Sequence, residues 1–397
     1  MKKTTICLNM IVKNEADIIV ETLDNIRSSI EIDYVVICDT GSSDGTQDKI
    51  TNYLKTHHIQ GEVHEHTWKD FAHNRNLALS LCDGKADYVI VFDADDRFHG
   101  EFRLPQPLTD DIYHVTFKSA DREFFYTRKI LFKNNNIVKW VGVLHESIIN
   151  IQDQLSEIEI QGDYYIQTGH FGARSQDPQK YLKDAQMLTQ AFENENEDLL
   201  LKARYAYYAA TSYYSYNDIT QAIFWFKQRI EYANRSSNTL ETYLACRHLG
   251  SIYKEQQAFD EAIVVWLKGC NVEPLYLECL YELSLLYTER NEYHVAYDFA
   301  LLAKQKKIEK HATALETRIL NYGIDYQVLS LGIQLGEYHH AYLAWRDLLN
   351  QPFYSKELTQ IILNHRELFY NNYVSRLSSE EQATIQNALI QQEHYIE

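Results

Sequence analysis

Short apolar runs alternate with amphipathic stretches through the first hundred residues. Ile6 to Val12 is almost unbroken, and the NEADIIVETLDNIRSSI that follows sets Ile18, Ile19, Leu23 and Ile26 at helical spacing. Tyr34 to Cys38 is a second β-branched run, and SSDGTQDKITNYLKTHH opens a helix at Asp44. A third strand covers Glu62 to His66, a helix runs from about Phe71 to Leu81, and YVIVF (Tyr88 to Phe92) is the fourth strand. Strands apolar on both faces, separated by helices, predict a parallel sheet covered on both sides. After Phe98 the pattern changes: IYHVTFKS, EFFYTRKILF, WVGVLHESI and EIEIQGDYYIQTGH read as strands with no helices between them. The first half is therefore α/β with an added mixed-sheet portion.

From about Tyr181 the chain is almost wholly helical and rich in Tyr, Ala and Leu. Leu249, Gly250, Tyr253, Ala262, Trp266 and Pro274 fall at the offsets of a tetratricopeptide (TPR) helix–turn–helix unit. Adding 34 residues to Gly250 gives Ser284, with Leu283, Tyr287, Ala296 and Ala300 at the same relative places. Looser units carry Ala210, Tyr213, Ala222 and Phe226, and Leu329, Ala341 and Trp345, the last ending near Pro352. Small residues let paired helices approach and aromatics fill the groove between them, so core packing is the expected role of each. Such units bury their faces only by stacking, which predicts an all-α solenoid. Ser355 to Glu397 reads as further helices capping the array. The expected domains are 1–175 and 176–397.

Composition narrows the function classes. A chain of 397 residues suggests roughly two or three domains. Apolar residues at 45% and charged residues at 24% are an ordinary globular balance. Thirty-eight basic against 56 acidic residues leave a net charge of −18, which argues against a nucleic-acid binder. The six cysteines show no paired short spacing, and Cys7 and Cys38 sit inside strand runs as expected buried thiols of a reducing compartment. No apolar run approaches the roughly 18 residues that span a bilayer. TTICLNMIV, broken by Lys13-Asn14-Glu15, is too short and polar for a signal peptide. The expectation is a cytoplasmic protein with no membrane span.

The chemistry gathers at strand ends. FDADDR (92–97) places Asp93, Asp95 and Asp96 just past the fourth strand, at the crevice where open α/β sheets bind ligands. Carboxylates so close repel one another unless a cation sits among them, and oxygen ligands suit Mg²⁺ or Mn²⁺. The alternative is a helix N-cap or solvated turn. NMIVKNE brings Ile11, Lys13, Asn14 and Glu15 to the same edge, and CDTGSSDGT brings Asp39 there, with Asp44 placed to cap the next helix. Asp39 could accept the imino N–H of a uracil ring; the competing reading is a loop-stabilising Asx turn. Asp70 reads as the N-cap of the third helix, and Arg75, one turn in, could reach a diphosphate or form a surface ion pair.

Asp39, Arg75, Asp93 and Asp95, with the NMIVKNE opening, resemble the GT-A domain of family 2 glycosyltransferases, in order through roughly the first 100 residues. With the TPR array the layout is similar to that of bacteriocin S-glycosyltransferases. The resemblance implies a UDP-sugar donor, a divalent metal on its diphosphate, and attack by an acceptor at the anomeric carbon. It implies that Ile11, Lys13 and Glu15 lie with the donor, that Asp39 binds uracil and that Arg75 faces the donor. Asp93 would hold the ribose or sugar, and Asp95 would be the direct metal ligand. Glu146 in WVGVLHES, at the end of a strand-like run, is the first choice for the base that deprotonates the acceptor. His145-Glu146 stands where many family members have Glu-Asp; His145 would orient Glu146 or the acceptor, or be a hydrogen-bonded, partly buried histidine. Asp121 and Glu123 are reserves for the base. His170, between the glycines of QTGHFG, suits a second metal ligand and would favour Mn²⁺. Arg128 would approach the diphosphate or form a cross-strand ion pair.

The reading is a metal-dependent, inverting hexosyltransferase, with UDP-glucose the first donor to try and a peptide, protein or glycan acceptor held partly by the TPR array. A scaffold that binds nucleotide-sugar without turnover is the alternative. A nucleotidyltransferase is disfavoured because NMIVKNE lacks a Gly-rich loop bearing Arg and Lys.

Overall fold

The computed structural model describes residues 3–119, 125–169, 174, 177–232, 238–306, 316, 318–351 and 355–396. Two compact units divide the chain, Met1–Glu241 and Thr242–Glu397.

The first unit is built on a nine-stranded mixed sheet. β1 (Ile6–Val12), β2 (Tyr34–Asp39), β3 (Gln60–Glu65) and β4 (Tyr88–Val91) are parallel in the order β3-β2-β1-β4. Register pairs Val12 with Asp39, Asp39 with Glu65, and Asn9 with Val91, so the loops after all four strands leave the same sheet edge. The order reverses about β1, which makes this edge a topological switch point. Beyond β4 the sheet turns mixed. β7 (Phe125–Lys133) runs antiparallel to β4 and to β6 (Ile112–Lys118). β11 (Tyr164–Gln167) follows parallel to β6 and antiparallel to β5 (Arg97–Gly100), while β10 (Glu157–Glu159) also pairs with β6. β6, β7, β10 and β11 fall in the runs expected to be strands after Phe98, the last two dividing one run, whereas β5 was not expected.

Helices α1 (Ile19–Ser29), α2 (Thr46–Thr56) and α3 (Phe71–Ser80) connect the parallel strands. Apolar strand residues carry the core: Leu8, Val36, Ile37, Ile90, Leu131 and Phe132 are all essentially inaccessible. Cys7, Cys38 and Cys82 are buried and unbridged, and burial pushes the Cys38 thiol up to about 12, so it packs as a small apolar group. Asp70 caps α3 as expected, accepting from the His73 amide at 2.7 Å. Asp44 does not cap α2 directly: Gly45 holds the N-cap position. The Asp44 carboxylate instead accepts from the Thr46 amide at 3.1 Å and reaches across to the Ala16 amide at 2.9 Å.

WVGVLHESI departs from expectation. Its strand character breaks after Val141, giving a separate hairpin of β8 (Val138–Val141) and β9 (Ser147–Asn150). His145 and Glu146 therefore sit in the hairpin loop and not at a strand end. The break has a backbone cause, since Gly142 (φ 101°) and His145 (φ 52°) both take the left-handed region, which a strand does not.

Three helices complete the first unit: α4 (Lys180–Asn194), α5 (Leu199–Ser215) and α6 (Ile219–Glu231). α7 (Thr239–Glu255) begins at its end. In the second unit α8 (Phe259–Val272), α9 (Glu278–Glu289), α10 (Tyr293–Lys304), α11 (Ile324–Leu335) and α12 (Tyr338–Leu349) precede α13 (Lys356–Asn364), α14 (Arg366–Asn372) and α15 (Ser379–Ile396). Gly250 faces Trp266 so closely that a Cβ would overlap the indole, and Trp266 Nε1 donates to the Arg247 carbonyl at 3.2 Å. One repeat later Ser284 donates to the Ala296 carbonyl at 2.8 Å. Trp266 and Trp345 are fully buried, which is the groove-filling role read from the 34-residue pattern.

Candidate active site

Two loops at the switch-point edge are stitched together by their own polar side chains. Asn14 (φ 56°) donates its amide to Ser42 Oγ at 2.8 Å and accepts from the Ser43 amide at 2.8 Å. The Glu15 amide reaches Thr46 Oγ1 at 2.9 Å. Asp39 is fully buried between them. Its Oδ1 accepts from the Gly41 and Ser42 amides at 2.8 and 2.7 Å, which is the loop-stabilising turn weighed in the sequence. Its Oδ2 is buried with no hydrogen-bonding partner. A buried carboxylate oxygen without a donor costs about 1–3 kcal/mol or more, so the arrangement favours a ligand N–H there.

At Thr40, the residue after Asp39, lies a cavity of about 450 Å³, lined also by Ile11, Lys13 and Glu15 and by Trp68 and Phe71; Asp39 itself lies behind this lining. A second cavity, about 680 Å³, contains Arg75, Asp93, Arg128, Trp140, His145 and Glu146. A larger depression of about 790 Å³ lies at the opposite ends of β1–β3, around Thr5, Tyr34 and Gln60, away from all of these groups.

Arg75 organises the second cavity. It is only 8% exposed, its Nε donates to Glu146 Oε1 at 2.6 Å, and its Nη2 donates to Asp93 Oδ1 at 2.6 Å. The guanidinium lies over Trp140, 4.8 Å from the ring centroid. Burial opposes its charge, but Asp93 and Glu146 outweigh burial and raise its pKa. The alternative of a surface ion pair is thus replaced by a buried one. The Asn76 side chain positions Trp140, donating to its carbonyl and accepting from its amide, each at 2.8 Å.

Asp93 lies within 3.7 Å of Arg128 as well as against Arg75. Burial would raise its pKa, yet Arg75 and then Arg128 hold it below the usual carboxylate range. Arg128 also stands 4.0 Å from Asp96, so its ion pairs run to the carboxylates at the end of β4. Asp96, named in the sequence with Asp93 and Asp95 but given no role of its own, is buried, at 4% exposure. Burial first, and then repulsion from Asp93 and Asp95, push its pKa well up, against Arg128 and the Gly169 amide. No helix follows this turn, since β5 begins at Arg97, so Asp93–Asp96 is not an N-cap. Gly169, from QTGHFG, packs onto the turn so tightly that a Cβ would overlap the Asp95 carbonyl oxygen. His170 lies outside the described residues, as do Asp121 and Glu123.

The charges of this turn fit a divalent cation. Asp93 and Asp96 face two arginines, one of which also serves Glu146, and Asp95 lies in the same turn, where it repels Asp96. Asp96 bears the residual repulsion, and a cation beside half-buried Asp95 would relieve it. Among the described residues no group of three or more His, Cys, Asp or Glu side chains is placed to hold a metal ion. The protein would supply few ligands and leave the remainder to phosphate oxygens and water, as hard cations accept.

The loop bearing His145 and Glu146 is held from two directions. The Phe71 amide donates to the Val143 carbonyl at 3.1 Å, and the Val143 amide to the Tyr205 hydroxyl at 3.3 Å. Arg204 of α5 donates to the His145 carbonyl through Nε (3.1 Å) and Nη2 (2.9 Å), and also pairs with Glu241. The His145 ring stacks on Tyr208 at 4.0 Å and 12°. Although the residue is exposed on the crevice side, protein crowding, followed by the charges of Arg204, Arg174 and Lys180, pushes its pKa down to about 3. The imidazole is therefore neutral at ordinary pH. Sequence reading did not find Arg204, Tyr208 or Trp140, because their roles arise from helix and hairpin faces distant in the chain.

No helix among the described residues is long and apolar enough to cross a membrane. No curated protein matches the chain. Among solved structures it is similar to S. aureus TarS in complex with UDP-GlcNAc, at 12% identity over 66% of this chain and 90% of that one, TM-score 0.35. A mannosyltransferase from Pyrobaculum calidifontis in complex with GDP-Man and Mn²⁺ matches at 16% over 68% and 88%, TM-score 0.36. MamA matches at 17% over 47% and 95%, TM-score 0.31. At such scores these likenesses carry no weight beside the match of residues 7–109 to the family model Glycosyl transferase family 2. That segment holds Asp39, Arg75 and the Asp93–Asp96 turn, and so the chain carries a family 2 glycosyltransferase domain and is a glycosyltransferase.

Proposed function

We propose that the protein is a metal-dependent, inverting hexosyltransferase that uses a UDP-sugar, with UDP-glucose the first donor to test. The acceptor is a peptide, protein or glycan held in part by the TPR-like array. The observation that carries this reading is the Asp93–Arg75–Glu146 bridge, which brings a strand-end carboxylate and a second carboxylate into one cavity beside the Asp93–Asp96 turn. The catalytic fold takes residues 1–175 and the repeats 176–397.

In this scheme Asp39 Oδ2 accepts the uracil imino N–H, and Ile11, Lys13 and Glu15 border the base and ribose. Asp93 holds the ribose or sugar, with Arg75 and Arg128 facing the donor. Asp95, with His170, would hold Mn²⁺ or Mg²⁺, which when bound offsets charge developing on the leaving diphosphate. Glu146 takes the proton of the acceptor as its O, N or S atom attacks the anomeric carbon from the face opposite the diphosphate. Arg75 fixes one Glu146 oxygen and thereby the direction of the other. Neutral His145 orients the acceptor or the neighbouring carboxylate.

A donor-hydrolysis screen tests the reading: purified protein, Mn²⁺ or Mg²⁺, a panel of UDP- and GDP-sugars, and free nucleoside diphosphate as readout. Metal-dependent release from a UDP-hexose is expected, and Asp95→Ala should abolish both release and metal-dependent UDP binding while helical content is unchanged. Full activity in that variant would remove Asp95 from the site.

A further inference from the structure

The 450 Å³ cavity beside Asp39 and the 680 Å³ cavity around Arg75 share four lining residues: Phe71, Arg174, Lys180 and Asp184. On the reading above, on which this inference rests, the nucleoside lies in the first cavity and the sugar in the second. The diphosphate that joins them must then cross the shared rim. Three of the four rim residues lie beyond residue 109, where the family match ends.

The charges at that rim are not equivalent. Arg174 is paired with Asp184, and its guanidinium lies over Phe71, 4.7 Å from the centroid. Lys183 is paired with Asp177 at 2.6 Å. Lys180 has no carboxylate partner among the described residues; its ammonium lies 5.4 Å from the Tyr181 centroid. Lys180 lines both cavities, and its charge reaches Asp184 in the shared rim as well as His145 in the second cavity. Lys180 is also the first residue of α4, a 15-residue helix, so the positive end of the helix dipole adds to the same field. Around it Asp177 and Asp184 each already have a basic partner, and Lys180 stands at the rim that two negative charges would cross.

We infer that Lys180 is a donor-binding residue that contacts the diphosphate of the nucleotide-sugar, so that the first helix after the mixed sheet forms part of the donor site. No bond to Lys180 forms or breaks; the ammonium supplies charge-assisted hydrogen bonds to phosphate oxygens.

Titration calorimetry with UDP, UMP and uridine, with and without Mn²⁺, tests this on the full chain. Lys180→Met keeps the length of the stem and removes the charge. We expect UDP affinity to fall about 10- to 100-fold, as loss of a charged hydrogen bond implies, with uridine affinity held within about twofold. Lys180→Arg should recover much of the loss. UDP binding by Lys180→Met equal to that of the native chain would overturn the assignment, as would equal losses for uridine and UDP, since these would mean that Lys180 only packs. If the native chain binds neither UDP nor GDP under any condition, the nucleotide-sugar reading itself fails and the inference goes with it.

Discussion

Glu146 and Asp93 share one arginine, yet the proposed chemistry asks different things of them. Asp93 lies between Arg75 and Arg128 and is held ionised, which suits a hydrogen-bond acceptor for donor hydroxyls and not a proton carrier. Glu146 gives one oxygen to Arg75 Nε and lines the cavity. Glu146→Gln keeps the shape and removes the base, so turnover should fall about 10²- to 10⁴-fold while UDP affinity is unchanged. A large loss of UDP affinity, measured by calorimetry, would move Glu146 to the donor side. His145 carries a prediction about pH. Its folded pKa of about 3 lies below the unfolded value, so the unfolded chain binds the proton first. Its stabilising contribution is complete above pH 6.5 and is lost as pH falls from there toward 3. Contact with solvent on the crevice side keeps the effect small. His145→Gln should flatten the fall of melting temperature over that window, and an unchanged pH profile would argue against a neutral, crowded imidazole. Asp39, Arg75 and Asp93 could be placed from the sequence because each follows or flanks a recognisable strand or helix start, whereas Glu146 was chosen from the family resemblance and lies in a hairpin loop. Asp96 drew no separate role because nothing in DADD says which carboxylate is buried; a segment some 70 residues later, with Gly169, packs onto the turn.

Elements were read most accurately where one local signal dominated. β1 runs over the apolar stretch Ile6–Val12 as expected, and α3 starts after its Asp70 cap. The β8–β9 hairpin was misread because its residues are strand-like on both sides and the turn depends on Gly142 and on a histidine at positive φ. A non-glycine residue there costs of order 1 kcal/mol and persists only when its surroundings hold it. Arg204 is such a hold, through two hydrogen bonds to the His145 carbonyl, and with Tyr208 it makes α5 part of the wall of the second cavity. No periodicity announces this, since Arg204 and Tyr208 read simply as one face of a repeat helix. Arg204→Ala should lower stability by about 1–3 kcal/mol, because it also leaves the Glu241 carboxylate with Arg229 at 3.7 Å as its remaining cation. It should also lower turnover with little change in UDP affinity, because the loop that carries Glu146 loosens while the Asp39 end does not. Arg204→Lys tests the geometry separately: charge is kept and the two-pronged contact is lost, so turnover should remain low. Equal kcat in all three proteins would show that the loop holds itself.

At the scale of the molecule, compactness and sequence pattern divide the chain at different places. The repeat-like helices α4–α6 belong to the first unit, and the second begins at Thr242. The 34-residue period was readable because small and aromatic residues recur, but a period says nothing about which helices are committed to a neighbouring sheet. The second unit has its own core, in which Tyr243, Trp266, Cys279 and Leu283 are wholly buried. Gly250 leaves no room for a side chain in that core, since any Cβ meets the Trp266 indole. Gly250→Ala should therefore destabilise the second unit by about 1–3 kcal/mol through overpacking. The expected denaturation curve has an early transition that the native chain lacks. Donor hydrolysis, which needs only the two cavities of the first unit, should survive below that transition, whereas transfer to an acceptor bound by the repeats should be lost through it. Simultaneous loss of hydrolysis and transfer would mean that the repeats and the catalytic unit unfold as one body, and that the array does more than hold the acceptor.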